Sequence, residues 1–204
     1  MSIMGQSVRI PEDAGEFFER FFPEQFAQDR ARYPRVDSPG SALFEVIGVG
    51  LWSVSIKRGN LVVKRGKADN TLLQIGVSRD DFKAIFVERA QREVNLSGHL
   101  SDDSLDVFKP LFVDARKAGV VANAVGNVLA TLAFHINDDA AARRVLITPG
   151  PFERTDPRTT ITMDLGDFLA MLGGRKSPGV LFILRRLKIH GDVFYAVRMR
   201  ALLS

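Results

Sequence analysis

Three histidines, two closely spaced aspartates and a few serines are the side chains of this sequence that could do chemistry. His99, His135 and His190 could ligate a metal, but none has a partner at a ligand spacing such as i, i+4, so no metal site is read from them. Asp164 and Asp167 could act as an acid and its neighbour. Their spacing fits a helix start better: Asp164 caps, and Asp167 at the third helical position complements the positive helix end by about 0.3–1 kcal/mol. Ser53 and Ser177 stand outside any nucleophile-elbow context. Gly48-Val49-Gly50 is too short for a phosphate loop and reads as a bend between strands. The chain has no cysteine, which removes disulfides, thiolate nucleophiles and cysteine zinc sites. No catalytic residue, metal or cofactor is assigned.

Apolar residues make up 46% of the 204 residues and charged residues 25%, an ordinary globular balance. A net charge of +4 is too small to argue for nucleic acid without a motif. No zinc-finger spacing, basic heptad or aromatic RNA-binding signature is present, so no nucleic-acid partner is expected. The first residues carry no apolar run behind a basic stretch, and the longest uncharged stretch, 118–134, is too short and too interrupted to span a bilayer. A soluble, cytoplasmic protein is expected. The oligomeric state is left open.

The elements that must position these residues follow from periodicity. Pro11, Glu12 and Asp13 suit the first turn of a helix carrying Phe17, Phe18, Phe21 and Phe22, with Pro23 starting a second helix that carries Phe26. Strands are expected at 44–49, 51–56, 61–64 and 73–77. Trp52, Val54 and Ile56 share one face, and the whole reads as an antiparallel meander. Ser78 caps a helix with Phe82, Ile85 and Phe86 inside. A short helix around Leu105 and a helix over 113–128 come next. Strands at 132–136, 144–148 and 160–163 lead to a helix through Phe168 and Leu172 that ends at Gly173-Gly174. Segments 181–189 and 194–199 flank His190-Gly191-Asp192 like a hairpin.

Ile75-Gly76-Val77-Ser78-Arg79-Asp80-Asp81-Phe82 aligns with Ile161-Thr162-Met163-Asp164-Leu165-Gly166-Asp167-Phe168 at an offset of 86 residues. Trp52-Ser53-Val54-Ser55-Ile56 matches Leu132-Ala133-Phe134-His135-Ile136 when turn lengths differ. Two related units are expected, 1–112 and 113–204, the first incomplete.

Four pieces occur in a telling order: Thr160-Ile161-Thr162-Met163, Asp167-Phe168-Leu169-Ala170-Met171-Leu172-Gly173-Gly174, Leu187-Lys188-Ile189-His190-Gly191-Asp192 and Ala196-Val197-Arg198-Met199. Together with Ser177-Pro178 they resemble the sterol carrier protein type-two family of lipid-transfer domains. The resemblance covers about 40 residues closely and about 90 loosely. It implies an α+β fold, a largely antiparallel twisted sheet covered by helices, with an apolar tunnel for sterols, fatty acyl chains, isoprenoids or phospholipids. Where the family often has Gln-Gly before its L-K-I segment, this chain has Leu184-Arg185, so that polar ligand contact is missing. Candidate tunnel-lining residues are Phe134, Phe168, Met171, Leu172, Leu181, Phe182, Leu184, Leu187, Phe194 and Val197. Arg175, Lys176, Arg185 and Arg186 could meet anionic headgroups of a membrane. The expected function is non-catalytic binding or transfer of an apolar lipid. An accessory or scaffold role in lipid or quinone metabolism is the alternative, with the aromatic N-terminal helix docking either a partner or the protein's own core. An enzyme would need facing titratable groups in the tunnel, and none is visible.

Overall fold

A computed structural model describes residues 10–28, 40–89, 91, 130–139, 141–150, 153–172 and 174–203. The expected helices around Leu105 and over 113–128, His99 and the boundary at 112/113 lie outside the described residues.

Helix α1 comprises an α-helical turn Ala14–Glu16, a wider π-helical turn Phe17–Phe21 and an α-helical end Phe22–Gln28. Asp13 caps it by accepting from the Glu16 N–H. Pro23 does not start a separate helix. The widened turn, in which the Phe22 N–H bonds to the Phe17 carbonyl, carries the chain into the proline, which has no N–H to give. Four strands follow: β1 (Ser41–Ile47), β2 (Gly50–Lys57), β3 (Asn60–Arg65) and β4 (Thr71–Ser78). Ser78 then caps α2 (Arg79–Phe82, continued by a π-helical turn Lys83–Val87) by accepting from the Asp81 N–H. The second half holds β5 (Thr131–Asp138), β6 (Ala141–Pro149), β7 (Pro157–Asp164), α3 (Leu165–Leu172), α4 (Pro178–Ile183), β8 (Leu187–Gly191) and α5 (Val193–Leu203).

The eight strands among the described residues form one sheet, in the order β3-β2-β1-β4-β6-β5-β7-β8. Most neighbours are antiparallel, but β1 pairs with β4, and β5 with β7, in parallel. The meander expected for the first four strands is therefore broken at β4. The chain leaves β3, crosses behind β2 and β1 through 66–70, and comes back beside β1. Antiparallel pairing of β4 with β6 joins the halves, with Ile75 opposite Ile147.

The pairing scheme occurs twice. A strand pairs antiparallel with its successor and parallel with a later strand, and the parallel register breaks after the first pair, at Ser41/Ala42 and again at Thr131/Leu132. By this scheme β5 takes the role of β1. The expected equivalence of Trp52-Ser53-Val54-Ser55-Ile56 with Leu132-Ala133-Phe134-His135-Ile136 thus joined strands of different roles, because alternation alone does not distinguish one half-buried strand from the next. β4 and β7, which the offset of 86 residues aligns, lie parallel beside β1 and β5 respectively. Among the described residues β6 has no β3-like neighbour from its own half, and β4 lies beside it instead.

One face of the sheet carries the apolar rows. Trp52, Phe44, Ile75, Ile147 and Leu132 stand opposite one another strand by strand. The helices cover this face. The Phe18 ring stacks on Trp52 at 5.0 Å, Phe17 meets Phe82 edge-on at 5.2 Å, and Trp52 Nε1 donates to Glu19 at 3.0 Å. The aromatic stripe of α1 therefore docks on the protein's own core.

Candidate functional site

The C-terminal elements are built by short local signals. Helix α3 starts directly after β7 and turns Phe168, Leu169 and Met171 inward, with the Phe168 ring 5.3 Å from Phe134. Ser177 caps α4 by accepting from the Val180 N–H at 3.2 Å, and Pro178 fits the first helical position. Arg185 adopts a left-handed conformation (φ 57°) and turns the chain into β8. Gly191 ends that strand at φ 95°, where a Cβ would overlap the Arg158 carbonyl oxygen. Asp192 then accepts from the Tyr195 N–H at 2.9 Å and starts α5.

The expected hairpin across His190-Gly191-Asp192 is absent. Residues 194–199 are helical, and 181–183 belong to α4 rather than to a strand. Tyr195, Ala196 and Met199 bury at i, i+1 and i+4, which is helical spacing, and the Asp192 side chain provides the start.

These elements divide the ten candidate lining residues. Phe134, Phe168, Met171, Leu181 and Leu187 are buried in the common apolar core, and Leu172 packs half-buried against it. Phe182, Leu184, Phe194 and Val197 point outward, together with Val180, Ile183 and Val193. Phe194 is 83% exposed and Ile183 79%. Helices α4 and α5, with the Leu184 cap that ends α4, thus present seven exposed apolar side chains.

Charge is arranged around the same elements. Asp167 is 1% exposed and accepts from Lys176 Nζ at 2.7 Å, with Arg186 Nε 2.6 Å from its other oxygen. Two of the four cations expected to meet headgroups, Lys176 and Arg186, are therefore engaged by the protein's own carboxylate, although half of the Arg186 side chain remains exposed. Arg185 forms no ion pair among the described residues, and Lys188 and Arg198 are likewise exposed. The internal role of Asp167 escaped the sequence reading. Its spacing from Ala170 and Met171, i, i+3 and i+4 on the buried face, was the available signal.

The phenol of Tyr195 is buried and donates to the Ala130 carbonyl. Burial holds its pKa above the usual tyrosine value, against smaller opposing effects of that hydrogen bond and of Arg158. His135 and His190 are exposed, and Ser53 donates to the Gly66 carbonyl. Among the described residues no three His, Asp or Glu side chains come together as metal ligands, and no helix is long and apolar enough to cross a membrane.

Residues 111–204 match the model of the SCP-2 sterol transfer family. Solved structures similar to the chain include the palmitated sterol carrier protein 2-like 2 of Aedes aegypti, at 20% identity over 51% of this chain and 95% of that one (TM-score 0.36). Apo sterol carrier protein 2 of Yarrowia lipolytica is 18% identical over 41% of this chain and 76% of that one (TM-score 0.33). The sterol carrier protein domain 2 of Helicoverpa armigera is 19% identical over 48% and 85% (TM-score 0.34). No curated protein sequence matches the chain.

Proposed function

Starting from the match of residues 111–204 to the SCP-2 sterol transfer family, we propose that this protein binds and carries an apolar lipid of sterol, fatty acyl or isoprenoid type without altering it. The observation that carries this reading is the outward apolar surface of α4, its cap Leu184 and α5, seven side chains exposed by 46% or more. Apolar surface in water costs free energy, and an aliphatic ligand laid on it gains about 0.8 kcal/mol per buried CH₂. In this reading the exposed members of the candidate set contact the ligand first. The buried members form the wall that yields or holds. Arg185, Lys188 and Arg198 suit an approach to anionic headgroups at about 1 kcal/mol per charge near the surface. The two halves are read as related units that share one sheet.

Native mass spectrometry of the purified protein, followed by displacement of a fluorescent acyl chain by sterol and fatty acid, tests this reading. Saturable binding is expected, weakened about tenfold or more by combined Ile183→Ser and Phe194→Ser. Those substitutions touch exposed positions, so stability should move by no more than about 0.5 kcal/mol. Absence of co-purifying lipid together with absence of saturable binding would falsify it. The alternative, an accessory protein in lipid or quinone metabolism, uses the same apolar surface against a protein. It predicts a stoichiometric protein partner lost in the same double variant, with no lipid bound.

A further inference from the structure

The face of the sheet opposite the helices carries a separate feature. Crossover 66–70 is tied down at both ends: the Gly66 N–H donates to the Leu51 carbonyl, and the Asn70 carbonyl accepts from the Ser41 N–H. Between these ties it stands off the strands and leaves a cleft of about 430 Å³, floored by serines of β1 and β2. Its charged lining is Lys57, Lys64, Arg65 and Lys67 against Asp69 alone. Three lysine side chains against one acid leave a net charge of +2 gathered at one concavity. Lys57, Lys64 and Lys67 form no ion pair among the described residues. Arg65 borders the cleft through its strand position, but its guanidinium lies 6.0 Å from the Trp52 ring, toward the helix-covered face. Concave, like-charged walls focus the field on whatever enters.

The second crossover provides a contrast. Behind β6 and β5 the protein supplies its own charge pair and hydrogen bonds. Arg154 reaches across Gly76 to Glu45, and the Thr155 N–H donates to Thr131 Oγ1 at 3.1 Å. Under the first crossover Asp69 is the one acid of the lining, and the three lysines form no ion pair among the described residues. The Ser53 and Ser41 hydroxyls are committed to the Gly66 and Asn70 carbonyls, whereas the Ser55 hydroxyl has no hydrogen-bond partner among the described residues.

We propose that the cleft beneath crossover 66–70 binds a phosphate-bearing ligand, with Lys57, Lys64 and Lys67 as its charge partners and the Ser55 hydroxyl as a donor. The cleft has room for a phosphate group together with part of its carrier. The carrier is a soluble phosphate ester or a phospholipid headgroup. The cleft lies on the opposite face from α4 and α5 and does not depend on the lipid reading of those helices.

Calorimetric titration of the full chain with inorganic pyrophosphate tests the proposal. Parallel flotation arms use phosphatidylcholine vesicles with and without phosphatidic acid. Saturable pyrophosphate binding is expected, weaker at higher salt. Combined Lys57→Gln, Lys64→Gln and Lys67→Gln should weaken it about tenfold or more, Ser55→Ala by a smaller factor, and the exposed control Lys83→Gln not at all. Vesicle binding that needs phosphatidic acid and the three lysines identifies a headgroup ligand. Pyrophosphate binding without it identifies a soluble one. Either outcome supports the site. No saturable binding of pyrophosphate, or binding that survives the triple variant, overturns it. Acyl-chain displacement, measured on the same proteins, reports separately on α4 and α5.

Discussion

A buried carboxylate requires partners, and Asp167 has two. Lys176 and Arg186 arrive from the loop after α3 and from the turn before β8, so one side chain ties three pieces of chain together. Asp167→Ala should lower stability by about 1–3 kcal/mol, below the cost of a fully buried pair because both cations reach solvent. A urea unfolding midpoint measures this, and a change under about 0.5 kcal/mol contradicts the role. Tyr195 gives a second residue-scale expectation with a definite sign. Its folded-state pKa lies above the unfolded value of 10.0, so the folded form holds its proton longer. The stabilisation is complete below pH 10 and is lost as pH rises through the folded value. Tyr195→Phe should cost about 1 kcal/mol at neutral pH, because the Ala130 carbonyl loses its donor. It should also flatten the alkaline fall in stability above pH 10, read from unfolding curves at several pH values.

At the scale of elements, α5 depends on its first turn. Asp192 receives the Tyr195 N–H, its carbonyl accepts from Thr159 Oγ1, and its side chain lies 3.1 Å from Arg158. Asp192→Ala should cost about 1 kcal/mol, mostly through the lost cap, and lower the helical circular dichroism signal. A variant of unchanged stability would show that α5 is held by packing alone. The same residue explains why the region was misread. His190-Gly191-Asp192 has turn chemistry that serves a hairpin or a helix start equally, and 194–199 is too short for period alone to choose. Elements with long, clean patterns were legible: β2 from Trp52, Val54 and Ile56, and α2 from Ser78, Asp81 and Phe82. Of the candidate site, the residue types were legible but their sidedness was not. Phe168 and Phe194 are equally apolar in sequence, and only the placement of α3 and α5 puts one inside and the other outside.

Across the whole molecule, the β4–β6 ladder makes one sheet of two halves. Side chains reinforce the join: Arg154 meets Glu45, Gln74 Nε2 donates to the Gly150 carbonyl at 3.0 Å, and Asp81 holds the Arg144 N–H at 3.2 Å. This partnership was hidden in the sequence, because strand order and parallel pairing arise from long-range packing that local alternation does not encode. Unfolding should be a single cooperative event. Trp52, the only tryptophan, reports the first half, whereas far-UV circular dichroism reports both. Coincident denaturant transitions are expected from the two probes. A tryptophan transition displaced from the dichroism transition would mean that the halves melt separately.

The β4–β6 join also sets a schedule during synthesis. The outer edge of β4 is complete at Ser78, but its partner begins at Ala141, about 60 residues later. At roughly 5–20 residues per second, that edge waits about 3–12 s before β6 leaves the ribosome. A row of open amide and carbonyl groups exposed for seconds is a template for a neighbouring nascent chain. Slow translation between the two strands therefore prolongs the period in which this protein can mispair.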